Sequence, residues 1–96
     1  MVKLSQRLSS VAEYVPKDSI LADIGSDHAY LPCALVKDQN IKYAIAGEVA
    51  KGPFQRAQLE VQKQGLTSFI DVRLGDGLSV INPSQDQVTC ITICGM

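Results

Sequence analysis

Residues 21–30 decide the fold class of this chain, and they read Leu21-Ala22-Asp23-Ile24-Gly25-Ser26-Asp27-His28-Ala29-Tyr30. A short apolar run carries an acid near its end and then breaks into a turn of small residues. A second apolar run begins at Ala44 and closes on Glu48. Doubly wound α/β sheets hold nucleoside-bearing cofactors with an acid at the tips of two neighbouring strands and a glycine turn after the first. The sequence therefore predicts an α/β protein of this kind.

The remaining pattern predicts one helix followed by strands that alternate with helices. Helical spacing of apolar residues covers 4–15, where Pro16 ends the helix. We expect strands over 19–24, 42–48, 70–74 and 88–93, helices over 30–36 and from Gly52 to Gly65, a helical turn over 78–81, and a break at Asn82-Pro83-Ser84. Strands that alternate with helices imply right-handed crossovers and a parallel sheet with flanking helices.

Length, charge and cysteine content further restrict the class of protein to which the chain can belong. The chain has 96 residues, enough for one domain but short for a complete doubly wound sheet, so residues 1–96 are expected to be the N-terminal part of a longer protein. A net charge of −1 shows no nucleic-acid signature. No signal-peptide pattern or membrane span is visible. Cys33, Cys90 and Cys94 contain no C-x-x-C pair, which favours a cytoplasmic protein with reduced thiols and no metal.

The turn after the first strand selects the kind of cofactor. It departs from the dinucleotide fingerprint G-x-G-x-x-G, because Asp27 stands at the second glycine position and Tyr30 at the third. A pyrophosphate needs close approach of the backbone and no negative charge nearby, so Asp27 argues against NAD and FAD. A cationic cofactor without phosphate tolerates that acid, and S-adenosylmethionine is such a molecule.

Two further acids follow later strands. Glu48 lies 25 residues after Asp23, near the interval typical of a ribose-binding acid, and its alternative is a solvated strand-end carboxylate. Asp76, followed by Gly77, is placed to accept a hydrogen bond from an adenine amino group, but Gly-Asp-Gly is also an ordinary turn. Each acid alone is ambiguous. Three acids at successive strand ends together favour a nucleoside cofactor.

His28 is the only histidine, and Asp27 and Tyr30 flank it on the same turn. These polar groups are expected beside the pocket, where they position a substrate or move a proton. The alternative is that His28 caps the following helix or pairs with a carboxylate. Cys90 and Cys94 are interpreted as small core residues rather than nucleophiles.

Several sequence motifs in the chain are more specific for one protein family than the glycine turn is. They are D-I-G-S-D-H-A-Y-L-P (23–32), A-I-A-G-E-V (44–49), G-P-F (52–54) and I-T-I-C-G-M (91–96), with an opening L-S-x-R-L (4–8). Over essentially its whole length the chain resembles the bacterial tRNA adenine-N1 methyltransferases that modify adenine 22. The resemblance implies a Rossmann-like class I methyltransferase fold, of which this chain would be the N-terminal part with about four strands.

The same resemblance implies roles for the cofactor-binding residues and for the C-terminal loop, and the catalytic set follows from its position beside the glycine turn. The cofactor-binding set is Asp23, Gly25 and Ser26 on the methionine side, Glu48 at the ribose, and Asp76 with Gly77 at the adenine. Cys94, Gly95 and Met96 would begin the substrate-facing loop. Asp27, His28 and Tyr30 are expected near the methyl-transfer site as the catalytic set.

The expected function is transfer of the methyl group of S-adenosylmethionine to N1 of adenine 22 in tRNA. Members of the family continue past the Gly-Met motif at 95–96, so the separate 96-residue chain is expected to be inactive. It is also expected to self-associate through an exposed sheet edge. The alternatives are a methyltransferase for a small molecule or another RNA, and a non-catalytic, truncated cofactor-binding fragment.

Overall fold

A computed structural model describes residues 4–26 and 28–93. The elements follow the predicted order of a helix, then alternating strands and helices. They are α1 (Gln6–Glu13), β1 (Ile20–Ile24), α2 (Tyr30–Lys37), β2 (Tyr43–Glu48), α3 (Lys51–Lys63), β3 (Ile70–Leu74), a 3₁₀ turn (Gly77–Val80), α4 (Pro83–Asp86) and β4 (Cys90–Thr92).

The four strands form one parallel sheet in the order β3-β2-β1-β4. The chain steps outward from β1 to β3 and then returns to place β4 on the other side of β1. Such a reversal creates a crevice at the carboxyl ends of the strands, which is where open α/β sheets bind their ligands. The predicted fold class is confirmed.

Two apolar clusters lie on opposite faces of the sheet. On one face, α2 and α3 pack against the sheet, and α1 packs against α2, through a cluster that includes Leu21, Leu31, Val61 and Ile70. On the other face, Val80 joins a smaller cluster of Ala22, Ile24 and Ile45. Burial on both faces explains why β1 and β2 read as nearly continuous apolar runs rather than as alternating ones.

Local signals set the ends of two helices. The Ser5 hydroxyl accepts a hydrogen bond from the Leu8 amide at 3.2 Å and caps the N-terminus of α1. Helix α3 ends at Lys63 with Gln64 as its C-cap, and Gly65 then adopts a φ of +71°. The Leu66 amide donates to the Val61 carbonyl at 3.0 Å, as in a glycine-terminated helix. The predicted glycine cap is confirmed.

Helix α1 covers Gln6–Glu13 instead of 4–15, and two sequence predictions after β3 also need correction. The expected break at residues 82–84 is the start of α4, because the Asn82 side chain accepts hydrogen bonds from the amides of Ser84 and Gln85, both at 3.2 Å. Strand β4 covers Cys90–Thr92 instead of 88–93. Before it, the Thr89 hydroxyl accepts a hydrogen bond from the Ile20 amide at 2.9 Å, so a side chain replaces one bond of the backbone ladder.

Candidate functional site

The carboxyl ends of β1, β2 and β3 surround a small cleft of about 100 Å³. Four of its eight lining residues are glycines, which leaves backbone rather than side chains at its walls. The lining residues are Ile24, Gly25, Gly47, Glu48, Val49, Gly75, Asp76 and Gly77. Four of the residues predicted to bind the cofactor therefore lie in one cleft: Gly25, Glu48, Asp76 and Gly77.

The turn that follows β1 is fixed to the end of β2. Gly25 adopts a φ of +70°, a left-handed conformation that favours glycine. The amides of Gly25 and Ser26 both donate to the Gly47 carbonyl, at 2.8 and 3.2 Å. These two bonds fix the turn against the end of β2, where Gly25 and Gly47 both line the cleft.

Asp23 lies behind the turn. Asp23 is only 1% exposed, and both of its carboxylate oxygens accept hydrogen bonds from hydroxyl groups. Ser26 donates to Oδ2 at 2.9 Å and Thr92 donates to Oδ1 at 2.7 Å. Asp23 therefore joins the glycine turn to β4, and Thr92 is a contributor to the site that the sequence analysis missed.

Glu48 ends β2 and is 5% exposed although it lines the cleft. Its backbone carbonyl accepts a hydrogen bond from the Gly75 amide at 2.8 Å. That bond ties the end of β2 to the loop that carries Asp76, which is itself exposed. The two acids thus occupy neighbouring strand ends but differ in their access to water.

Val80 packs against two of the glycines that line the cleft, Gly47 and Gly75. A Cβ atom added at Gly47 would lie 2.9 Å from Val80 Cγ2, and one added at Gly75 would lie 2.8 Å from Val80 Cγ1. Real Cβ atoms do not approach so closely, so both positions need glycine for the valine to pack between them. Sequence analysis assigned Val80 only to a helical turn.

His28 and Tyr30 stand at the start of α2, where their rings stack with centroids 5.1 Å apart and an interplanar angle of 8°. His28 and Ala29 have positive φ angles of 52° and 54°. Consecutive non-glycine residues in this conformation store backbone strain, a feature that clusters at functional sites. Asp27, the third predicted member of this set, lies outside the described residues.

Arg73 is a second residue that the sequence analysis missed. From β3 its Nη1 donates to the Val80 carbonyl and to Asp86 Oδ2, both at 2.7 Å, while Nη2 donates to Asp86 Oδ1 at 2.9 Å. Its Nε donates to Asp71 Oδ2 at 2.8 Å. The bonds from Arg73, and then that from the Asn82 amide, lower the pKa of Asp86 to about 2. In the sequence, the only sign of this role was a cationic residue within a predicted strand.

Cys90 fits its predicted role as a small packing residue, and Cys94, for which the same role was predicted, lies outside the described residues. Cys33 is buried in the larger core cluster, and Cys90 packs against that cluster. Burial, and secondly the charge of Glu60, raise the pKa of the Cys33 thiol to about 12, which disfavours the nucleophilic thiolate. The predicted substrate-pocket residues Cys94, Gly95 and Met96 lie outside the described residues.

Residues 4–26 and 28–93 contain neither a membrane-spanning helix nor a cluster of metal-binding side chains. No helix there has the length and apolar character needed to cross a membrane. That same part of the chain holds no group of three or more His, Cys, Asp or Glu side chains arranged to bind a metal ion.

Comparison with known proteins gives consistent results. A family model described as a methyltransferase domain matches residues 4–96. The curated tRNA (adenine(22)-N(1))-methyltransferase of Bacillus subtilis is 54% identical over 95 residues, which cover 99% of this chain and 39% of that protein. The chain therefore spans about two fifths of the length of this relative.

Solved structures agree with the sequence matches. The crystal structure of the Bacillus subtilis m1A22 tRNA methyltransferase TrmK superposes with a TM-score of 0.94 at 52% identity, over 100% of this chain and 40% of the other. TrmK of M. capricolum, solved with the cofactor product S-adenosylhomocysteine, gives a TM-score of 0.88 at 41% identity, over 96% of this chain and 41% of the other.

Proposed function

The chain belongs to the methyltransferase domain family, and on that premise we propose that it binds S-adenosylmethionine for methylation of N1 of adenine 22 in tRNA. The observation that carries the proposal is the cleft in which Gly25, Glu48 and Asp76 meet at three successive strand ends. The substrate is supported by the name of the Bacillus subtilis relative, which is 54% identical over this region. We propose a cytoplasmic location for the protein, in keeping with this function.

The residues of the cleft fit the proposed cofactor. Carboxylates suit a cationic ligand that carries ribose hydroxyls and an adenine amino group, whereas they would repel a pyrophosphate. Glu48 would accept from the ribose, and Asp76 from the adenine amino group, with Gly77 allowing the loop to approach the ring. At about 100 Å³ the cleft is small beside the ~300–1,000 Å³ of typical ligand sites, so it would hold only part of the nucleoside.

Asp23 and Ser26 would act on the methionine side of the cofactor. Asp23 is already bonded to Ser26 and Thr92, so its contribution is to hold the glycine turn in place. A turn that is fixed before the ligand binds reduces the cost of ordering it.

The proposed methyl transfer requires little acid–base catalysis from the protein. S-adenosylmethionine supplies an electrophilic methyl group on a sulfonium centre. N1 of adenine carries an in-plane lone pair and no proton, so attack needs alignment and exclusion of water rather than a strong base. We place Asp27, His28 and Tyr30 beside the transfer site, where they orient the unstacked adenine, and Cys94, Gly95 and Met96 in the substrate pocket.

A chimera tests the function directly. Residues 1–96 would replace the matching segment of the Bacillus subtilis enzyme, and transfer of radiolabelled methyl to tRNA would be measured together with the position of the product. We expect N1-methyladenine at position 22. A folded chimera that binds S-adenosylhomocysteine but leaves tRNA unmodified would contradict the proposed substrate. Labelling of a metabolite pool instead would favour a small-molecule methyltransferase.

We also propose that the separate 96-residue chain does not methylate tRNA and pairs with a second copy of itself. Strand β4 is at one edge of the sheet formed by the described residues. Beside it, an apolar groove is lined by Leu78, Ile81, Pro83, Val88 and Ile91, while Ile93 is 58% exposed. An apolar edge strand without charged residues favours pairing with another strand edge.

A further inference from the structure

Arg73 connects three parts of the chain that lie beneath and beside the cleft. Its guanidinium reaches the carboxylates of Asp71 and Asp86 and the backbone carbonyl of Val80, at distances of 2.7 to 2.9 Å. Asp86 also accepts from the Asn82 amide at 2.6 Å. The side chain of Arg73 is 27% exposed, and that of Asp86 is 10% exposed. This pair is therefore better shielded from water than an ordinary surface ion pair.

The contact with Val80 is the one that reaches the cleft. Val80 ends the 3₁₀ turn that begins at Gly77, and its two methyl groups lie within 2.9 Å of the positions that Cβ atoms of Gly47 and Gly75 would take. A shift of Val80 would therefore change the wall formed by Gly47 and Gly75. The same shift would move the turn, because the Ser79 amide donates to the Asp76 carbonyl at 3.0 Å.

We propose that Arg73, paired with Asp86, is a positioning residue that sets the adenine side of the cofactor cleft through Val80 and the turn after Asp76. The proposal rests on the proposed function, since it assigns a task within the same cleft. In this role Arg73 acts through the turn over 77–80 and does not contact the reacting atoms.

An arginine is required by the geometry of these contacts. Nη1 and Nη2 hold Asp86 in a bidentate pair while Nη1 also donates to Val80. A planar guanidinium presents its donors in a fixed fork, whereas a lysine ammonium is a single point charge on a flexible stem. Lysine at position 73 would retain the charge but could not hold both partners in the same arrangement.

The test compares two ligands that differ at the adenine amino group. Binding of S-adenosylhomocysteine and of S-inosylhomocysteine, in which a carbonyl oxygen replaces that amino group, would be measured by calorimetry on the 96-residue chain and on the chimera. Arg73→Met is expected to weaken S-adenosylhomocysteine binding about tenfold and to bring the two affinities closer together. Arg73→Lys should fall between wild type and Arg73→Met.

A matched variant and a second measurement complete the experiment. Arg56→Met removes an exposed arginine on α3 and should leave both affinities unchanged. If Arg73→Met does not fold, Asp86→Asn removes one partner of the pair, and the amides of Ser79 and Ile81 should then exchange faster while those between β1 and β2 do not.

The outcomes separate this inference from the function on which it rests. A folded Arg73→Met protein with unchanged affinity and unchanged preference for the amino group would overturn the positioning role and leave the proposed function intact. Unchanged exchange at Ser79 and Ile81 in Asp86→Asn would also count against that role. Wild-type protein that binds neither ligand would overturn the proposed function and the inference together.

Discussion

The hydroxyl of Thr92 donates a 2.7 Å hydrogen bond to the carboxylate of Asp23, across 69 positions of sequence. The bond joins β4 to β1 at the point where the glycine turn leaves the sheet. Because Ser26 donates to the other carboxylate oxygen, the two hydroxyls satisfy a nearly fully buried acid from both sides. Removal of either hydroxyl would leave a buried oxygen with one partner fewer.

Thr92→Val is therefore expected to lower the free energy of unfolding by about 1–3 kcal/mol, the cost of a lost hydrogen bond to a buried charged group. Urea unfolding of the chain measures the change. Thr67→Val alters an exposed threonine and serves as the control. Equal stability of the two variants would show that the bond from Thr92 contributes nothing.

Glu48→Ala should weaken binding of S-adenosylhomocysteine by about 1–3 kcal/mol, because it would remove the proposed charge-assisted hydrogen bond to the ribose. Titration calorimetry on the chimera provides the measurement. Glu48→Gln keeps the shape of the side chain and separates charge from packing, while Glu13→Ala changes an exposed glutamate on α1. Unchanged affinity in Glu48→Ala would remove this residue from the cofactor site.

His28→Ala in the chimera should slow methyl transfer to tRNA by about 10- to 100-fold with little change in cofactor affinity, because the proposed role of His28 is to orient the adenine rather than the cofactor. Single-turnover rates and calorimetry on the same preparation distinguish the two effects. Tyr30→Phe keeps a ring for the stack with His28 and should retain more activity than His28→Ala. If rate and affinity both remain at wild-type levels, His28 only shapes the start of α2.

Asp86 makes stability depend on pH in acid. Its pKa is lowered from 3.8 to about 2 in the folded chain, so the carboxylate is favoured by folding. This contribution is fully present above the unfolded pKa of 3.8, and it is lost as the pH falls through the folded value of about 2. As the pH is lowered through that range, the urea midpoint of unfolding should fall less steeply for Asp86→Asn than for wild type. The exposed-site variant Asp38→Asn provides the comparison, and identical slopes in Asp86→Asn and wild type would contradict the prediction.

The separate 96-residue chain should sediment as dimers or larger species, because β4 offers an apolar edge to a second copy. Ile91→Lys places a charge on that edge and should shift the distribution towards monomer. Leu59→Lys introduces the same charge at a leucine that is 64% exposed on α3, and it should leave the distribution unchanged. A wild-type chain that sediments as a monomer at all concentrations would exclude this association.

The order of elements and several residues of the cleft could be predicted from sequence because their signals are local. A strand is recognised from a short apolar run, and the residue that follows its last position must lie at the sheet edge. Parallel strands bring their carboxyl ends to the same edge, so Gly25, Glu48 and Asp76 could be grouped before the strand order was known. Asn82 misled the same reasoning, because its side chain can end one element or cap the next.

Tertiary structure alone decided which distant residues complete the site. Thr92 reaches Asp23 only because the sheet order places β4 beside β1, and Arg73 reaches Val80 and Asp86 only because the chain folds back after β3. Neither pairing leaves a periodic trace in the sequence, since the energy of each bond depends on a distance that the complete fold sets. The sequence determined which strand ends carry the acids, and packing determined how those ends are held.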